Sequence, residues 1–254
     1  MNVPRPSISG RLLGVILITH LGLLVASLLL NQSFLIGTGN IIRVTLPALC
    51  LIALVQVVAL SRSGCGAQIG LRKPIALTWL LGLPLGFVIV SIALQGGFLN
   101  IRDIDAQTML IFLTAIVLIG FIEEITFRGF LFTYLSERYP DAITVVVSSV
   151  LFGVAHAIAL VGGSAALGTL TQIAGTTLFG LLLGILRLRS GSLVLGIALH
   201  IGWNFAVLSG KPMSPFVEPV FVQLAGGVFL VGLAAAVGLT VAYRLSRRST
   251  PRMP

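Results

Sequence analysis

The sequence predicts an all-α, polytopic transmembrane helix bundle of about eight spans, with the N-terminus and C-terminus both cytoplasmic. Hydrophobic residues make up 57% of the 254-residue chain, charged residues make up 9%, and the mean hydropathy is +1.10, which excludes an ordinary soluble domain. Eight stretches are apolar and about long enough to cross a ~30 Å hydrocarbon core as helices. They lie near 11 to 30, 41 to 60, 75 to 95, 106 to 131, 142 to 161, 169 to 187, 191 to 208 and 219 to 243. With that span count and an inner N-terminus, thirteen of the sixteen Lys and Arg residues fall on the cytoplasmic side, and Arg43, Arg102 and Lys211 fall outside.

The first apolar run, Leu12 to Leu30, follows a basic start but is longer than a usual signal-peptide core and precedes no small-x-small cleavage site, so it reads as a retained span. Spans one to three hold little polar beyond His20 and Gln56, and His20 has no polar partner in its own neighbourhood. Trp79 opens the third span as an interfacial aromatic. The fourth, fifth and seventh spans carry Glu123, Glu124, Arg128, His156, His200 and Asn204, while Gly180 and Gly184 of the sixth form a small-xxx-small packing pair. The last span runs into a basic tail, Arg244 to Arg252, suited to anionic lipid. Residues 1–105 therefore read as scaffold, 106–208 as the functional core, and 209–254 as a final span with its tail. The longest polar connections, Ser61 to Lys73 and Gly96 to Asp105, leave no room for a soluble domain, so any chemistry happens within the bundle. A net charge of +9, spread over loops without aromatic interleaving, does not describe a nucleic-acid surface. Cys50 and Cys65 have neither disulfide nor CxxC spacing.

Glu123-Glu124-Ile-Thr-Phe-Arg128 is the stretch that demands explanation. Insertion scales charge roughly 2.5 to 3.5 kcal/mol for each ionised group at the bilayer centre, so three such groups must pair or face a wet cavity. Glu124 and Arg128 are four residues apart, the spacing that brings side chains together on one helix face. Glu123 is turned about 100° away and has no partner on its own helix, which leaves it the spare carboxylate.

His156 shares a helix face with Phe152, and His200 shares one with Asn204, each pair at i, i+4. A carboxylate, two imidazoles and a carboxamide from three helices suffice to hydrolyse an amide. Glu123 can act as general base toward water with His156 orienting that water, while His200 and Asn204 donate to the oxyanion. Glu123, His156 and His200 could instead ligate zinc with one position open for water. Asn204 on the face of His200 favours the metal-free version, because a carboxamide is a poor zinc ligand beside an imidazole.

Glu-Glu-x-x-x-Arg at 123–128, Phe-x-x-x-His at 152–156 and His-x-x-x-Asn at 200–204, in order on successive spans, resemble the CAAX protease and bacteriocin-processing (Abi) family of intramembrane endopeptidases. The resemblance covers roughly residues 106–208. It implies that Glu123 is the catalytic glutamate, His156 its partner on the attacking water, and His200 with Asn204 the oxyanion site, supported by Glu124, Arg128 and Phe152. It further implies a multi-pass protein of the cell membrane acting on a membrane protein or lipidated peptide, with zinc or without metal. Two other functions compete. A proton-coupled transporter could use the same carboxylate and histidines as a relay, but no internal repeat is evident. A non-catalytic scaffold or immunity protein would not need Glu123, His156 and His200 intact. No HExxH, Gly-x-Gly-Asp or Gly-x-Ser-Gly motif marks another intramembrane protease class.

Overall fold

A computed structural model of the chain describes residues 8–30, 44–74, 105–161 and 164–209. The spans expected near 75–95 and 219–243, Trp79, both termini and the basic tail lie outside the described residues. Within the described residues all regular structure is helical: α1 (Gly10–Leu30), α2 (Leu46–Ser63), α3 (Ala106–Glu124), a π-helical segment (Ile125–Leu131), α4 (Phe132–Ser136), α5 (Asp141–Ala155), a 3₁₀ turn (His156–Leu160), α6 (Ala166–Ser190) and α7 (Val194–Ser209). Four continuous helical stretches are long and apolar enough to cross a membrane: Leu46–Ser63, Ala106–Ser136, Asp141–Leu160 and Ala166–Ser190. Shorter apolar stretches lie at Gly10–Ala26 and Val194–Phe205.

The fourth span differs from expectation. It does not stop near 131 but continues to Ser136, and it is not one uniform α-helix. At Ile125 the hydrogen-bond ladder widens to i→i+5 for seven residues, all of them buried. At the junction the Ile125 N–H is shared between the Phe121 and Ile122 carbonyls. Helix starts follow local chemistry. Asp105 caps α3 by accepting from the Thr108 N–H at 2.9 Å and from its hydroxyl at 2.6 Å, which holds the Asp105 carboxyl below its ordinary value. Pro140 at the N-cap and Asp141 in the first turn open α5.

The core joins Ile16 of α1, Ile69, Phe130 of the π segment, Phe152 of α5, Leu183 of α6 and Leu193 before α7. A second apolar cluster, Leu49, Ile52, Ala115 and Ile122, seals α2 against α3. Helices α5 and α6 form the most extensive pair, as the small-xxx-small spacing predicts. A Cβ on Gly180 would lie 3.1 Å from that of Ser149, and one on Gly184 would lie 3.2 Å from Val145 Cγ1.

The loop after α2 fixes where α7 begins. Leu193 N–H donates to the Gly70 carbonyl at 2.8 Å, Ser192 Oγ to the Arg72 carbonyl at 2.6 Å, and Arg72 Nε to the Gly191 carbonyl at 2.9 Å. Gly70 takes a φ of +100°, and a Cβ there would meet the Arg187 guanidinium at 2.7 Å. Entry to α7 is thereby set two turns before His200.

Candidate active site

The site assembles where the α3–π junction meets α5 and α7. Glu124 and Arg128 meet as their spacing predicts, with Arg128 Nη1 donating to Glu124 Oε1 at 2.9 Å. Close helix approach makes room for this pair. A Cβ on Gly180 of α6 would lie 2.9 Å from Arg128 Nη2, and one on Gly196 of α7 would lie 3.1 Å from Glu124 Oε2. The Arg128 guanidinium lies 4.0 Å above the Phe152 ring, so an aromatic face supplements a single carboxylate in a site shut off from water.

Glu123 has no partner on its own helix, as its spacing predicts, but α7 supplies one: its Oε2 lies 3.3 Å from His200 Nε2. The other ring nitrogen, Nδ1, lies 3.1 Å from Glu124 Oε1. One imidazole therefore bridges two adjacent carboxylates. Successive residues of a helix point about 100° apart, so a group placed between them from α7 can touch both. The four side chains differ in access, with Glu123 at 16% exposure against 4% for His200, 1% for Glu124 and 0% for Arg128.

His156 follows the last turn of α5, where the helix tightens, and its Nδ1 lies 2.9 Å from the Phe152 carbonyl. A carbonyl only accepts, so Nδ1 carries hydrogen, and in a neutral ring the lone pair is on Nε2. His156 meets Phe152 edge to face at 4.9 Å, and Phe152 meets His200 likewise at 5.8 Å. Phe152 is thus the hub of the cluster, touching Arg128, His156 and His200. Asn204 lies one turn beyond His200 on α7, half-buried, and makes no hydrogen bond among the described residues.

Sequence reasoning missed several neighbours. Phe179 of α6 packs edge to face on His200 at 5.5 Å and stacks on Trp203 at 5.4 Å. Apolar residues inside a span carry no signal that distinguishes them from ordinary packing. The expectation that His20 lacks a polar partner is also corrected, since its Nδ1 lies 2.7 Å from Thr126 Oγ1, and Gln56 Nε2 donates to the same hydroxyl at 2.8 Å. That shared partner comes from a helix remote in sequence, which the first two spans by themselves could not reveal.

For zinc, Glu123 and His200 are two of the three anticipated ligands, and Glu124 lies behind Nδ1. His156 does not close it: among the described residues no three His, Cys, Asp or Glu side chains are grouped to hold a metal ion.

Motifs and geometry point to one family, and the comparison with known families agrees with them. Residues 105–206 match the family of type II CAAX prenyl endopeptidase Rce1-like proteins. No curated protein matches the chain. The Rce1-like segment runs from the cap of α3 into α7 and contains Glu123, Glu124, Arg128, Phe152, His156, His200 and Asn204. With its apolar helices, the Rce1-like match marks a membrane protein, and the family suggests proteolysis of membrane-associated substrates.

Proposed function

We propose that this protein is an intramembrane endopeptidase in which Glu123 activates the water that attacks a peptide bond of a membrane protein or lipidated peptide. The observation that carries this reading is the difference in access within the charged cluster: Glu123 alone is open at 16%, while the groups behind it are closed off. A partly exposed carboxylate can take a proton from water, and the His156 Nε2 lone pair supplies a second acceptor to orient that water. His200 holds Glu123 from one side and is itself held by Glu124, whose charge Arg128 balances. This follows the logic of a reacting group, its orienter and a third group behind. Since both His200 nitrogens face carboxylates, donation to the oxyanion falls to Asn204. Bond cleavage then delivers the proton from Glu123 to the leaving amine. No step passes through a metal.

The test is hydrolysis of an internally quenched peptide with a prenylated C-terminal CAAX sequence by the purified full chain in detergent. Wild-type protein should cleave it and Glu123→Gln should not, at unchanged melting temperature. Equal cleavage by the two proteins would refute the proposal.

A further inference from the structure

Resting on the hydrolase reading, we infer that His20 of α1 and Gln56 of α2 are positioning residues for Glu123, acting through Thr126 to hold the π-helical turn that aims the carboxylate. The contacts gather at the junction where the ladder changes from i→i+4 to i→i+5 and the Ile125 N–H is shared between the Phe121 and Ile122 carbonyls. There Gln56 Nε2 donates to the Ile122 carbonyl from a neighbouring helix at 3.0 Å. The same amide donates to Thr126 Oγ1, so Gln56 holds the helix on both sides of Glu123, by the Ile122 carbonyl just before it and by the Thr126 side chain three residues after.

Both Gln56 amide hydrogens are used in these bonds, which leaves the Thr126 hydroxyl hydrogen for His20 Nδ1 at 2.7 Å. A neutral His20 then carries its own hydrogen on Nε2. His20, Gln56 and Thr126 are all buried, and Phe127 meets the His20 ring edge to face at 5.9 Å, so this chain has one packed arrangement. Glu123 lies within electrostatic range of His20, His156 and His200. The chain has three histidines, and these are all of them. Two helices that composition marks as scaffold thus reach the turn that carries Glu123. Glu123 is thus held twice: His200 fixes the carboxylate, and the Gln56–Thr126–His20 chain fixes the turn that carries it.

Thr126→Val removes the hydroxyl while keeping the shape, and Thr126→Ser keeps the hydroxyl. In the full chain, Thr126→Val should lower kcat on the quenched CAAX peptide about tenfold with KM within about twofold, and Thr126→Ser should stay near wild type. Gln56→Leu should act likewise, and combining it with Thr126→Val should add little, because both break one chain. Amide exchange by mass spectrometry, read whether or not the peptide is cleaved, should rise at least tenfold across Ile122–Leu131 in Thr126→Val alone, with the rest of the bundle unchanged. Wild-type exchange in that segment, or a rise spread over every helix, overturns the inference, as does a Thr126→Ser variant as slow as Thr126→Val. If Glu123→Gln is dead while Thr126→Val turns over at the wild-type rate, the inference alone fails. If Glu123→Gln keeps its turnover, the hydrolase reading fails and the positioning role falls with it.

Discussion

The two ends of the charged cluster are built on opposite terms. At the closed end, Glu124, Arg128 and Phe152 are sealed between α5, α6 and α7, and glycines at 180 and 196 let those helices press against the ion pair. At the open end, one residue away, Glu123 keeps 16% exposure and among the described residues is held by His200. Adjacent identical side chains thus receive different work because the helix turns about 100° between them. The difference teaches that the same side chain can be neutralised and sealed at one position and left reachable at the next. His200 couples the ends by touching both.

Substitution at the open end should give the largest effect. Glu123→Gln should cut turnover at least ~100-fold, the scale of a lost general base, with thermal stability nearly unchanged. At the closed end the readout reverses. Glu124→Ala leaves Arg128 buried without its carboxylate and should destabilise the fold by about 3 to 5 kcal/mol, measured as loss of folded protein in a denaturation series. If instead Glu123→Gln melts far lower and Glu124→Ala is stable but inactive, the two ends have exchanged roles.

Gly180→Ala sharpens the comparison, because its new Cβ would crowd Arg128, Ser149 and Phe152 at 2.9 to 3.2 Å. Overpacking of that kind costs about 1 to 3 kcal/mol, visible as a lowered melting temperature. A smaller change is expected at the cap of α3, outside the apolar core. Thr108 hydrogen bonds hold the Asp105 carboxyl below its ordinary value, so its contribution is present above the ordinary carboxylate range and disappears as pH falls through the lowered one. Asp105→Ala should remove that slight acid-side dependence from the melting curve without touching turnover. Chelation should do least. With His200 placed between two carboxylates, activity should survive exhaustive chelation, and the purified protein should carry well under one equivalent of zinc. Stoichiometric zinc, with activity lost on its removal and restored on its return, would move His200 into a coordination shell.

The sequence by itself determined the helical membrane class and the Glu124–Arg128 pair, because these depend on composition and on spacings within one helical turn. The start of α3 at Ala106 was legible for the same local reason, whereas α6 runs on past the expected 187 to Ser190. Only tertiary structure decided that Glu123 has a partner, that one imidazole serves both carboxylates, and that His20 and Gln56 belong beside the site. Those contacts join residues 76 positions apart for His200 with Glu124, 106 for His20 with Thr126 and 70 for Gln56 with Thr126. Helical periodicity relates side chains a turn or two apart and states which face is polar. Which helix that face meets is set by the packing of the whole bundle, down to where a glycine lets two backbones approach and where a π turn shifts the register of everything after it.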